Sequence, residues 1–81
     1  MTEFSLQSDI FGREAWKILR EMEGFDVFNV SFEDRACSVI LNGTEYRISR
    51  EGRRTWHVVT TGYWWTFGSQ WDLLAWIGDR L

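Results

Sequence analysis

The order of apolar and polar residues near the start of the chain is typical of an amphipathic helix. From 10 to 23, apolar residues recur at intervals of three and four, which places them on one side of an α-helix. The predicted core-facing residues are Phe11, Ala15, Ile18, Leu19 and Met22. Ser8 or Asp9 is expected to cap the start of this helix, and Gly24 to end it.

After Gly24 the spacing becomes alternating, which predicts a series of short β-strands. Turn signals at 33–34, 42–43, 50–52 and 61–62 divide this region into five strands. Asn42-Gly43 is the strongest of these signals, because Asn and Gly tolerate the two positive φ angles of a type I′ turn.

The predicted strand registers agree with one another. Two-residue turns at 33–34 and 42–43 align apolar residues in pairs: Phe28 with Val39, Val30 with Cys37, Val39 with Tyr46 and Cys37 with Ile48. A three-residue loop at 50–52 brings Trp56 and Val58 to the same side, whereas a two-residue loop would bring a less apolar set. The remaining inward-facing residues are Phe32, Leu41, Thr44, Tyr63, Trp65 and Phe67. This agreement predicts an antiparallel meander with one buried face.

A second helix is predicted from Ser69 to the last residue. Ser69 followed by Asp72 is a near-match to a capping box. Leu73, Leu74, Ile77 and Leu81 fall on one face, with Trp71 and Trp76 on either side of it, where they are expected to widen the contact with the sheet. The predicted fold class is α+β: one domain over 1–81, with a five-stranded antiparallel sheet and both helices on one face.

Composition supports a single small folded domain. The chain has 81 residues, of which 44% are hydrophobic and 17% aromatic, including six tryptophans. Such rings supply much buried area to a small core. The single cysteine, Cys37, excludes an internal disulfide and a multi-cysteine zinc site, and it is expected to be a small buried hydrophobe. No apolar run reaches roughly 18 residues and 1–10 lack a signal-peptide pattern, so we expect a cytoplasmic protein without a membrane partner.

Two helices cover only one face of the predicted sheet. The opposite face is expected to carry Val27, Ile40, Glu45, Arg47, Thr55, His57, Val59, Trp64 and Thr66. Ile40, Val59 and Trp64 are predicted to form a contiguous apolar patch, with Glu45, Arg47 and His57 at its rim. Because such patches mark interaction sites, these six residues are the first candidate partner-binding surface. If the last strand slips by one residue, Trp64 instead turns inward.

The second candidate surface is the acidic side of the first helix. It comprises Glu14, Glu21 and Glu23 together with Trp16, which lies off the predicted core face and is either packed on a neighbouring element or exposed. The net charge of −3 suits a partner with a basic surface and opposes non-specific binding of nucleic acid. The open face is also a candidate homodimer contact.

Arginines gather at one end of the predicted sheet. Arg35 is expected to lie opposite Arg50, with Arg53 and Arg54 close by. Two interpretations remain open: a solvated hairpin end whose charge is partly neutralised by Glu33, Asp34 and Glu51, or a clamp for phosphate or carboxylate. With exposed aromatic rings beside it, such a clamp would make the chain a nucleic-acid-binding domain.

Motifs for catalysis are absent from the sequence. It has no phosphate-binding glycine loop, HExxH or GxSxG motif, and His57 has no Ser, Cys or Asp at a spacing typical of a triad. We therefore predict a non-enzyme with no catalytic residues, metal or cofactor.

Over its whole length, and at the level of class only, the chain resembles phage-encoded inhibitors of bacterial defence such as anti-CRISPR proteins. These are often short, acidic, poor in cysteine and free of catalytic motifs. The resemblance rests on size, charge and lack of motif, so it assigns no site residue. It implies a protein in the host cytoplasm that occludes a basic, nucleic-acid-binding surface of a defence protein. The alternatives are the nucleic-acid-binding domain and the homodimeric structural protein.

Overall fold

The computed structural model describes residues 10–31 and 33–81. Helix α1 spans Arg13–Leu19 and helix α2 spans Gln70–Asp79. Between them lie strands β1 (Phe25–Ser31), β2 (Ala36–Leu41), β3 (Thr44–Glu51), β4 (Thr55–Thr60) and β5 (Tyr63–Phe67). The strands pair antiparallel in the order β1-β2-β3-β4-β5, so the predicted α+β fold with a five-stranded meander is confirmed.

Both helices pack on the same face of the sheet. The buried cluster joins residues of the two helices to the inward-facing residues of β2, β3 and β4. Its best-buried members from the sheet are Cys37, Val39, Leu41, Ile48 and Val58. The side of the sheet that faces away from this cluster is called the open face below.

None of the helices in the described ranges has the length and apolar character required to cross a membrane.

The registers of β2 with β3 and of β4 with β5 match the predicted ones, but that of β3 with β4 does not: the loop lies at 52–54 instead of 50–52, so Ile48 pairs with Val58 and Glu51 with Thr55. A shift of two residues keeps the same side chains on the inner face, because alternation has a period of two. Cys37 pairs with Ile48 and Val39 with Tyr46 across the turn at Asn42, which has a φ of 51°. Alternation then places Trp56 and Val58 inward in β4. Val59 of β4 pairs with Trp64 of β5, and Trp64 therefore faces away from the helices. The one-residue slip that would have buried Trp64 does not occur.

Strand β1 departs from the predicted register because of a β-bulge. Val27 pairs with Val39 and Phe28 with Ser38, whereas Phe28 was predicted opposite Val39. The register shifts between Phe28 and Ser31, where Asn29 has a φ of 52°. Asn tolerates this left-handed conformation, which inserts one extra residue into the strand. The predictions that Val27 faces outward and Phe28 inward were therefore wrong. Val30 does pack against the core, and Phe32 lies outside the described residues.

Helix α1 is shorter than predicted and is rotated about its axis. It begins after Gly12, so the predicted caps Ser8 and Asp9 lie outside the described residues. Ile18, predicted in the core, is 45% exposed, while Trp16 is only 4% exposed. A rotation of the helix by roughly 60° about its axis turns Trp16 towards the core and Ile18 towards solvent. Since an indole buries more apolar area than Ile, the rotation favours the fold. Trp16 stacks on Phe11 at 6.1 Å between ring centroids.

Helix α2 begins as predicted at Ser69, whose hydroxyl accepts a hydrogen bond of 3.1 Å from the backbone N–H of Trp71. Trp76 widens the contact with the sheet, since the centroid of its ring lies 4.9 Å from that of the Trp65 ring. The Arg80 guanidinium lies 3.8 Å from the centre of the Trp76 ring. Trp71 is less buried than Trp76. It is 51% exposed and lies at the start of the helix, beside the β3–β4 hairpin.

A buried hydrogen bond ties the start of α1 to the sheet. The indole N–H of Trp56 in β4 donates to the carbonyl oxygen of Ile10 at 2.8 Å. Ile10 and Trp56 are 1% and 3% exposed, so neither group has ready access to water as a substitute partner. Buried polar groups without a partner are costly, and this bond therefore holds the first helix in place.

We expect Trp56→Phe to destabilise the fold more than Trp76→Phe does. Both changes remove the same atoms from the core, but only the first leaves the Ile10 carbonyl without its donor. The buried Trp76 indole N–H has no hydrogen-bond partner among the described residues. The difference in the free energy of unfolding should be about 1–3 kcal/mol, measured by chemical denaturation. Equal losses would show that the Trp56 bond contributes nothing.

We expect stability to fall at alkaline pH because of Cys37. Burial raises the pKa of this thiol from 9.0 to about 12, while Arg47 acts in the opposite direction. The thiol therefore ionises at lower pH in the unfolded chain, and stability is lost as the pH rises from about 9 towards 12. Denaturation at a series of alkaline pH values should show a steeper fall for the wild type than for Cys37→Ala. Parallel curves would contradict this assignment.

Candidate functional site

The open face carries one row of side chains that crosses all five strands. Residues that pair across neighbouring strands lie on the same face of the sheet. The row consists of Phe28, Ser38, Arg47, Val59 and Trp64. Exposure rises towards the β5 edge, where Val59 is 49% and Trp64 is 73% exposed. The largest apolar group on this face is therefore also its most accessible one.

The predicted apolar patch is divided by strand β3. Val59 and Trp64 are direct neighbours, but Ile40 lies on β2, and Glu45 and Arg47 of β3 stand between them. Strands two apart in a sheet are separated by roughly 10 Å, so Ile40 does not touch Val59. The prediction of a contiguous patch of three residues was wrong. All six predicted residues of this surface do share the open face.

Acidic groups flank Ile40. Asp26 on β1 and Glu45 on β3 pair with Ile40 from either side, and both are exposed. A cavity of about 340 Å³ lies close to Glu45 and is lined by Glu45, Tyr46, Arg47, Val59, Thr60 and Thr61. The Thr60 hydroxyl donates to the backbone carbonyl of Glu45 at 3.0 Å, which fixes one wall. The open face therefore offers a carboxylate and an apolar side chain beside one depression.

His57 is held between two groups that its sequence spacing did not reveal. Its Nε2 lies 2.8 Å from Oε1 of Glu51, and its Nδ1 lies 3.2 Å from the Thr66 hydroxyl. A carboxylate only accepts, so Nε2 carries the hydrogen of the first bond. The contacts orient Glu51 and His57.

The acidic helix surface is separate from the open face. Glu14, Glu21 and Glu23 are exposed, as predicted, but Trp16 is buried against Phe11 and does not belong to this surface. Helix α1 packs on the side of the sheet opposite Trp64. A partner that lies flat on one of the two surfaces therefore does not contact the other.

A cleft lies where the β3–β4 hairpin meets the start of α2. Its volume is about 460 Å³, and it is lined by Gly12, Arg50, Arg53, Arg54, Trp56, Gly68, Ser69, Gln70 and Trp71. We call it the arginine cleft. Arg35 is adjacent, since the backbone N–H of Arg50 donates to its carbonyl at 2.9 Å, but its side chain is not part of the lining. The structure thus brings three of the four predicted arginines together in one cavity.

The three arginines of the cleft are not equivalent. The Arg50 guanidinium lies 5.1 Å from the centre of the Trp56 ring, and its Nη2 donates to the Arg53 carbonyl at 2.9 Å. These contacts make Arg50 part of the cleft wall. Arg53 and Arg54 are exposed in the hairpin loop, and in the described ranges neither forms an ion pair.

Two of the acidic residues expected to neutralise the arginines are turned elsewhere. Glu51 bonds to His57 on the open face, and Asp34 accepts a hydrogen bond of 3.2 Å from the Ser31 hydroxyl. The positive charge of Arg53 and Arg54 is therefore not cancelled by contact with these carboxylates.

Sequence reasoning missed the second wall of the cleft. Gln70 accepts a hydrogen bond of 2.9 Å from the Gly12 N–H, across 58 residues. A Cβ atom on Gly12 would lie 2.7 Å from the Gln70 Oε1 atom, so glycine permits this approach. The cap at Ser69 places Gln70 and Trp71 in the first turn of α2, but the sequence does not indicate that this turn meets the hairpin.

Among the residues that the structure describes, no group of three or more His, Cys, Asp or Glu side chains is arranged to hold a metal ion. Cys37 is a free, buried thiol with a raised pKa. A thiol in this state is a poor nucleophile and a poor metal ligand, because both roles require the thiolate.

Comparison of the chain with protein-family models, with curated proteins and with solved structures finds no match.

Proposed function

We propose that this protein binds another protein through the open face of its sheet, with Trp64 as the anchor. The observation that carries the proposal is the exposure of 73% of the Trp64 side chain next to Val59. Exposed indoles are uncommon on surfaces that meet only water, and Trp is among the residues most enriched at binding hot spots.

The chemistry of the face favours a partner with a basic surface. The chain carries a net charge of −3, and Asp26, Glu45 and Glu51 all lie on the open face. The depression beside Val59 and Glu45 suits a Lys or Arg side chain, whose aliphatic stem contacts Val59 while its charged head meets the carboxylate. The acidic helix surface adds to the field that attracts such a partner.

The finer proposal is an inhibitor of the phage-encoded, anti-CRISPR type, acting without catalysis in the host cytoplasm. An acidic domain that docks on a basic, nucleic-acid-binding surface competes directly with phosphate for the same Lys and Arg side chains. Support for this step comes from the acidic charge, the small size and the class-level resemblance of the sequence.

We expect Trp64→Ala to abolish capture of the partner, because it removes the anchor without altering the core. The matched control is Tyr63→Ala, which removes an equally exposed ring from the same strand on the opposite face. Tyr63 stacks on Trp65 with 6.2 Å between the ring centroids. Tyr63→Ala therefore also controls for a small loss of stability on removal of an aromatic ring from β5. The measurement is pull-down from a lysate of the source organism or its host, followed by titration with the captured protein.

Retention of binding by Trp64→Ala would overturn the proposal. Sedimentation of the wild type resolves the homodimer alternative. If the chain self-associates and Trp64→Ala makes it monomeric, the open face is a contact between two copies instead of a site for a different protein.

We expect reversal of the acidic groups on the open face to weaken partner binding by roughly tenfold at low salt. The variant is Asp26→Lys with Glu45→Lys, and the control is Glu14→Lys with Glu21→Lys, which makes the same change in net charge on the acidic helix surface. Titrations at low and high salt compare the two. A larger effect of the Glu14 and Glu21 variant would move the site to the acidic helix surface.

A further inference from the structure

We propose that the arginine cleft binds a nucleoside phosphate, with its phosphate held by Arg53 and Arg54 and its base against Trp71. This site is independent of the open face. The cleft is lined by Trp56, Gln70 and Gly12, which lie on the helix side of the sheet, whereas Trp64 points to the other side. Failure of one of the two proposals therefore leaves the other unaffected.

The charge of the cleft is the first support. Arg53 and Arg54 are neighbours in a tight loop, both line the cleft, and neither forms an ion pair among the described residues. The guanidinium fork donates two parallel hydrogen bonds to phosphate oxygens. A phosphate monoester, with close to two negative charges, matches two arginines better than a single carboxylate does.

The wall formed by Arg50 is the second support. Its guanidinium rests on the Trp56 ring, and that indole is anchored by the bond to the Ile10 carbonyl. Arg50 also donates to the Arg53 carbonyl, which constrains the loop that presents Arg53 and Arg54. A loop held in this way loses less conformational freedom when a ligand binds.

Trp71 is the third support. Half of this side chain is exposed, and it lines the cleft from the first turn of α2. Nucleobases stack on exposed indole rings whatever their sequence. The amino end of the ten-residue helix α2 also adds a favourable field for an anion close to its first turn.

The size of the cleft selects a ligand larger than an inorganic anion. About 460 Å³ is in the range of sites for small organic molecules, and a lone phosphate would leave most of it to water. The net charge of −3 repels an extended polyanion. These two facts favour a mononucleotide, whether free or at the end of a single strand.

The test is isothermal titration of the full chain at low salt with adenosine 5′-monophosphate, adenosine, inorganic phosphate and a short single-stranded thymidine oligonucleotide. We expect the monophosphate to bind at least about tenfold more tightly than adenosine or phosphate, because only it engages both the arginines and Trp71. Tighter binding of the oligonucleotide would assign the same site to a strand. No saturation by about 5 mM of either nucleotide ligand, or equal affinity for adenosine, would overturn the proposal.

Matched variants locate the site. Arg53→Gln with Arg54→Gln should weaken binding of the monophosphate by at least about tenfold, because the double change removes the charge-assisted hydrogen bonds. Lys17→Gln with Arg20→Gln removes the same charge from exposed positions at the end of α1 and should have little effect. Trp71→Ala should lower affinity for the monophosphate while leaving that for inorganic phosphate unchanged. Equal losses in the two double variants would show a non-specific charge effect and overturn the proposal.

Discussion

The sheet has two faces, and the two helices are sufficient to cover one of them. Five strands spaced by about 4.8 Å make a sheet roughly 19 Å wide, which two helices of about 10 Å diameter cover side by side. The buried cluster accordingly lies between the helices and the inner face. On the outer face, Val59 and Trp64 of β4 and β5 are presented to water or to a partner. The placement of Trp64 is the main consequence.

Much of this arrangement follows from alternation and turn chemistry. Asn42-Gly43 determines the β2–β3 register, and the strands after it continue the pattern to Trp64. The register of β1 is not predicted in this way, because Asn29 adopts a left-handed conformation in a β-bulge that adds one residue to the strand. Alternation of apolar and polar residues does not reveal such a bulge. The rotation of α1 has a similar origin. A seven-residue helix has no long periodic stripe of its own, so the burial of Trp16 against Phe25 and Phe11 decides its orientation.

The candidate sites divide in the same way. Alternation along β4 and β5 is enough to place Val59 and Trp64 together, whereas the separation of Ile40 from them depends on β3 lying between. The arginines of the hairpin are neighbours in sequence, so their clustering is visible there. The wall opposite them is not, because the contact of Gln70 with Gly12 joins distant segments. Both sites combine local order that the sequence specifies with tertiary contacts that it does not.

A partner docks, in this account, on the open face, where Trp64 is the most exposed large apolar residue. The chain has six indole N–H groups, and each reports on its own surroundings by NMR. With the captured partner bound, hydrogen exchange at the Trp64 indole should slow markedly, while that of Trp71 should stay as fast as in the free protein. Unchanged exchange at Trp64 in a fully formed complex would contradict the claim.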